Sequence, residues 1–116
     1  MLAFAMTAGY IPALPVRAYE EVTISNLRWD GNIARWDVTG HPSKYEISID
    51  NGSSSFEEYV SDNYYDCSDF LLPGNTYSFK VNYFANGMWY SYSDWSAGKK
   101  IEGDMELWIL RLLLLI

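Results

Sequence analysis

The stretch from Leu71 to Ala85 reads Leu-Leu-Pro-Gly-Asn-Thr-Tyr-Ser-Phe-Lys-Val-Asn-Tyr-Phe-Ala, and its reading decides the fold. Pro73-Gly74 is a turn that stops whatever precedes it. Beyond it Tyr77, Phe79, Val81 and Tyr83 alternate with Ser78, Lys80 and Asn82, the period of a strand with one face buried. Tyr77 stands just past the turn, at the mouth of that strand. This is the placement of a tyrosine corner, whose hydroxyl bonds back to the chain that has just turned. Such corners belong to sandwiches of two antiparallel sheets, so an all-β fold is the first expectation.

Working outward, the pattern of short strands and turns continues on both sides. Tyr64 to Phe70 reads as a strand delivering the chain to the Pro73-Gly74 turn, preceded by a poorly patterned strand near Phe56 to Val60. Lys44 to Asp50 alternates cleanly, with Tyr45, Ile47 and Ile49 inward. Ile33 to Val38 places Ala34, Trp36 and Val38 on one face, and Trp36 is the best candidate for the centre of the core. In Val22 to Trp29 the apolar alternation shifts phase between Ile24 and Leu27, as a bulged edge strand would show. Asp30-Gly31-Asn32 and Asn86-Gly87 supply residues that tolerate positive φ in hairpin turns. A last strand runs through Trp89 to Ser96 and Lys99 to Glu102, broken near Gly98. The total is seven strands over residues 19–103, spaced by about ten residues.

The chain has 116 residues, enough for one core, and carries ten Tyr and five Trp with a net charge of −7. Eight basic residues against fifteen acidic ones give no cationic surface for nucleic acid or anionic lipid. Cys67 is the single cysteine, so no internal disulfide forms and a zinc site lacks thiolate partners. It shares a face with Tyr65 and reads as a small buried hydrophobe.

The two ends depart from the strand pattern. Residues 1–18 are apolar, rich in small residues and broken by Pro12 and Pro15, which reads as an export signal cleaved after Ala18 or else as a disordered leader. No Lys or Arg precedes the apolar run. Residues 104–116 end in nine apolar residues plus Arg111, shorter than the roughly 17 to 25 residues that span a bilayer. A marginal helix is expected there, in a tail whose composition suggests a truncated or artefactual end.

Chemistry-bearing residues are sparse. His41 precedes a proline in a loop and reads as solvated, and no nucleophile-elbow motif accompanies it, so no catalytic residue is assigned. Asp62, Asp66 and Asp69 lack the ligand rhythm of a calcium loop, so neither a metal nor a cofactor is expected. Glu20, Glu21, Glu57 and Glu58 read as charges protecting sheet edges. The aromatic surplus is more informative. Trp89, Tyr90 and Tyr92, near the last hairpin, form a candidate stacking strip for a sugar or a protein partner. The plainer reading packs Tyr92 and Trp95 over the outer face beside Arg35 and Lys80.

Leu27-x-Trp-Asp-Gly-Asn-x-Ala-x-Trp-Asp-Val38, Tyr45-Glu-Ile-Ser-Ile49, Tyr65-Asp-Cys-Ser68, Gly74-Asn-Thr-Tyr-Ser-Phe-Lys-Val81 and Tyr92-Ser-Asp-Trp-Ser96 together resemble a fibronectin type III domain over residues 20–102. They are most similar to modules of secreted and wall-attached proteins of Gram-positive gut bacteria. The resemblance implies a seven-stranded, immunoglobulin-like β-sandwich with Trp36 as a core tryptophan and Tyr77 as the corner. The first, second and fifth strands would face the others. It further implies a non-catalytic extracellular spacer or adhesion module, secreted or at the cell surface. Its partners would be neighbouring domains of a longer protein, or an extracellular protein or glycan. Cys67 departs from the larger hydrophobe usual in such domains. Residues 51–63 carry no integrin-type tripeptide, so no receptor carries over.

Overall fold

The computed structural model describes residues 19–103 and 105–115. The expected export signal and its cleavage site lie outside these residues. The strands are β1 (Thr23–Asp30), β2 (Ile33–Thr39), β3 (Lys44–Asp50), β4 (Ser55–Val60), β5 (Tyr64–Asp66), β6 (Thr76–Ala85), β7 (Met88–Trp89) and β8 (Lys99–Lys100). They are followed by α1 (Met105–Leu114). Every pairing is antiparallel. One sheet of three strands has the order β1-β2-β5, and one of five has the order β4-β3-β6-β7 with β8 also on β6.

Register follows from the alternation. β3 and β6 pair Tyr45 with Tyr83, Ile47 with Val81 and Ile49 with Phe79, so each inward residue meets an inward residue. The phase shift in β1 is a break in register between Ser25 and Arg28, where Asn26 takes a φ of 53°. Asn86 and Gly87, at φ values of 53° and 78°, form the tight hairpin between β6 and β7. Asn86 also clasps the start of the chain. Its Oδ1 accepts from the Glu20 N–H at 2.9 Å, and its Nδ2 donates to the Glu20 carbonyl at 3.0 Å.

Both sheets contribute to one core. Trp36 is fully buried, edge-on to Tyr45 with ring centroids 5.3 Å apart, and Trp29 meets Phe79 edge-on at 5.1 Å. Ala34, Ile47, Ile49, Cys67, Tyr77 and Val81 complete the buried members of the core cluster among the described residues. Each large side chain so enclosed contributes roughly 1.5–3 kcal/mol.

Two strands differ from expectation. β5 ends at Asp66 instead of running to Phe70, because the Asp66 carboxylate accepts from the Ser68 N–H at 3.0 Å and the Phe70 N–H turns back to the Cys67 carbonyl at 2.9 Å. The last strand is two short pieces, β7 and β8, so the described residues form eight strands where seven were expected. Between those pieces the chain still follows β6. Ser93 N–H donates to the Val81 carbonyl at 2.8 Å and Ser96 N–H to the Phe79 carbonyl at 2.7 Å. In return Val81 N–H donates to Ser93 Oγ and Phe79 N–H to Ser96 Oγ, each at 3.0 Å. The segment advances from 93 to 96 while β6 retreats only from 81 to 79. An ordinary ladder cannot absorb the extra residue, and serine hydroxyls stand in for backbone carbonyls.

α1 presents Ile109, Leu110, Leu112, Leu113 and Leu114 to solvent. Among the described residues no helix is long and apolar enough to cross a membrane.

Candidate binding face

The outer face of the five-stranded sheet carries two of the exposed aromatic side chains, Tyr59 and Trp95. Because Ile47, Ile49, Phe79 and Val81 point inward, alternation turns Lys44, Glu46, Ser48 and Asp50 of β3 outward, with Ser78, Lys80, Asn82 and Phe84 of β6 beside them. Glu57 and Tyr59 of the edge strand β4 join the same surface opposite Ser48 and Glu46.

Two lysines organise this face. Lys80 Nζ lies 4.5 Å from the Tyr92 ring centroid and 4.6 Å from that of Trp95, so one ammonium serves two rings. Lys44 Nζ lies 5.2 Å from Phe84 and 5.5 Å from Trp89, and Trp89 packs on Phe84 at 5.3 Å and on Tyr59 at 5.6 Å. Burial and the neighbouring Glu46 carboxylate push the Tyr92 hydroxyl well above its ordinary pKa, so it stays protonated. Ser48 Oγ donates to Glu57 at 3.3 Å.

Of the three residues chosen from sequence as a strip, Trp89 and Tyr92 lie among these clusters, and Tyr90 is placed elsewhere. Tyr90 stacks on Tyr83 at 4.7 Å with planes 14° apart, and its hydroxyl accepts from Asn86 Nδ2 at 3.0 Å. The three therefore form no single flat strip. Lys80 takes the expected place beside Tyr92 and Trp95, but Arg35 does not. It belongs to β2 of the other sheet, where it binds Asp30 at 2.8 Å and covers Tyr64 at 5.4 Å.

The remaining chemistry-bearing side chains hold local structure. His41 Nδ1 sits 2.6 Å from Glu20 Oε2 with the imidazole 90% exposed, a surface pair. Arg28 and Asn26 both bind Asp37 at 3.0 Å, and with Asn26 the larger influence they hold its carboxyl below the usual range. Burial pushes the Cys67 thiol up to about 12, which leaves it un-ionised and unreactive at neutral pH. Among the described residues no three His, Cys, Asp or Glu side chains gather as metal ligands would.

Among the described residues the surface opens into clefts at two places that bear on binding. One, of about 500 Å³, is lined by Tyr19, Glu20, Glu21, Tyr83, Asn86 and Tyr90. The other, of about 490 Å³, lies between the β3–β4 turn and Trp95, with Asp50, Asn51, Gly52, Thr76 and Ser78 around it. Sequence reasoning missed this second cleft, since its walls come from strands that neighbour one another only through register. Tyr59 was missed as well, because β4 showed no clean alternation.

Compared with protein-family models, curated proteins and solved structures, the chain matches none.

Proposed function

We propose that the chain is a non-catalytic extracellular module of the fibronectin type III kind, acting as a spacer or adhesion unit in a bacterial secreted or surface protein. The architectural support is the corner at Tyr77. Its hydroxyl accepts from the Leu72 N–H at 3.0 Å and lies 3.5 Å from the Phe70 carbonyl, to which it donates. The division into sheets of three and five strands agrees with that kinship. The localisation rests on the resemblance, the apolar leader and the acidic composition.

The observation that carries the non-catalytic reading is that five of the carboxylates are engaged in local pairs and that, among the described residues, no cluster of three His, Cys, Asp or Glu forms. Asp30 serves Arg35, Asp37 serves Arg28, Asp66 caps Ser68, Glu20 meets His41 and Glu57 takes the Ser48 hydroxyl. General acid–base work on a glycoside needs two carboxyl groups facing one scissile bond. Incubating the full chain with glycoside and peptide libraries should give no turnover. Turnover that disappears when one acidic residue is replaced would overturn the reading. For the location, the chain fused to a reporter in a Gram-positive host should collect in the wall or medium, and retention in the cytoplasm would refute it.

A further inference from the structure

We propose that the cleft between the β3–β4 turn and Trp95 is a binding site for a neutral saccharide, with the Trp95 indole as its stacking platform. This goes beyond the spacer-or-adhesion reading, because it depends on neither the kinship nor the location of the chain.

The platform comes first. Trp95 remains 47% exposed although Lys80 already packs against it, so its structural contact leaves much of the ring open, and the ring lines the cleft. An indole surface attracts the partly positive C–H edge of an apolar ligand face. The polar groups around it are of mixed character. Asp50 uses Oδ1 to hold the Gly52 N–H, and its second carboxylate oxygen has no partner within the chain among the described residues. Asn51 uses its Oδ1 on the N–H groups of Ser53 and Ser54, each at 2.9 Å, which leaves its amide Nδ2 as a donor. The hydroxyls of Thr76 and Ser78, which both accept and donate, have no partner within the chain among the described residues either.

A ligand that satisfies this set needs one apolar face and several hydroxyls that donate as well as accept. A pyranose ring has both. The competing classes fit less well. A cation would meet Lys80, whose ammonium already lies 4.6 Å from the same indole. An anionic sugar would meet Asp50 in a chain of net charge −7. The volume, about 490 Å³, falls within the roughly 300–1,000 Å³ typical of small-ligand sites. The wall made by residues 50 to 54 is held in place by its own side-chain bonds, so little ordering is required when a ligand arrives.

The test is titration of the full chain with cellobiose, lactose and diacetylchitobiose, followed by tryptophan fluorescence and by amide and indole NMR shifts, with glucuronic acid and choline as controls. At least one neutral disaccharide should saturate, shifting the Trp95 indole and the amides of Asp50 to Gly52. Trp95→Ala should weaken it by about tenfold or more, as loss of an aromatic anchor does. Tyr64→Ala, on β5 of the other sheet, should leave it unchanged. Asp50→Asn and Ser78→Ala, which spare the core, should each weaken it several-fold and keep the proposal testable if Trp95→Ala fails to fold. No saturable binding by any neutral sugar overturns the inference. So does binding lost with Trp89→Ala and retained with Trp95→Ala, or binding of choline or glucuronic acid alone. None of these results touches the non-catalytic reading, which only turnover would refute.

Discussion

Ser96 and Phe79 exchange two hydrogen bonds: the Phe79 N–H donates to Ser96 Oγ at 3.0 Å, and the Ser96 N–H donates to the Phe79 carbonyl at 2.7 Å. Ser96 is buried and Phe79 is fully enclosed, so water cannot replace the hydroxyl if it is lost. Ser96→Ala should therefore destabilise the fold by about 1–3 kcal/mol, the cost of a buried donor without a partner. Ser93→Ala should cost less, since Ser93 is only half-buried. Urea denaturation of both variants checks the order, and an equal or reversed ranking would refute it.

Tyr77→Phe removes the corner hydroxyl that receives the Leu72 N–H while keeping the ring in the core. The expected loss is about 0.5–1.5 kcal/mol with the fold intact. An unchanged denaturant midpoint would mean that the hydroxyl contributes nothing to holding the turn.

For Cys67 the folded pKa, about 12, lies above the ordinary thiol value of 9.0 because burial disfavours the thiolate. Below pH 9 the thiol is neutral in both states and its contribution to stability is fully present. As pH rises from there, the unfolded chain ionises first, and that contribution is lost as pH climbs through the folded value near 12. The melting temperature should accordingly fall with alkalinity in this window, and less so in Cys67→Ala. At pH 8 iodoacetamide should label the thiol only as fast as the chain unfolds, so rapid labelling of the native state would contradict the placement.

Gly40 takes a φ of +89°, and a Cβ there would collide with the Glu21 carbonyl oxygen and crowd Val22. Gly40→Ala should cost at least about 1 kcal/mol, through both the left-handed backbone and the clash. Gly52→Ala, at a φ of +94° with open space around it, isolates the backbone contribution and should cost less. Chemical denaturation of the pair provides the comparison.

The core was legible because its positions obey a period of two. Trp36, Tyr45, Ile47, Ile49, Tyr77, Phe79 and Val81 are all buried, and each lies where alternation puts it. The break in β1 was legible as a change of phase, and the β6–β7 turn as Asn-Gly. The last strand was not, because no local pattern marks Ser93 and Ser96 as residues whose hydroxyls replace carbonyls along β6. The placement of Tyr90 apart from Trp89 and Tyr92 was not legible for a related reason: parity along an irregular segment no longer tells one face from the other. The cleft at Trp95 depends on Asp50 of β3 pairing with Ser78 of β6, a register that no local pattern states.

The clasp between Asn86 and Glu20 sets how the module would carry mechanical load. Tension applied ahead of Glu20 reaches the tip of the β6–β7 hairpin, 66 residues away in sequence, before it reaches β1. The two bonds there are exposed and worth about 0.5–1.5 kcal/mol each, far less than a ladder. Together with the His41 contact to Glu20 and the bond from the Tyr83 hydroxyl to the Val22 carbonyl, they would part before the ladder, releasing the short lead between Glu20 and Thr23 while Trp36 and Phe79 stay sealed. If copies are linked in series, as the proposed spacer reading would have them, each would have a small, reversible slack that is used up before any sheet has to resist.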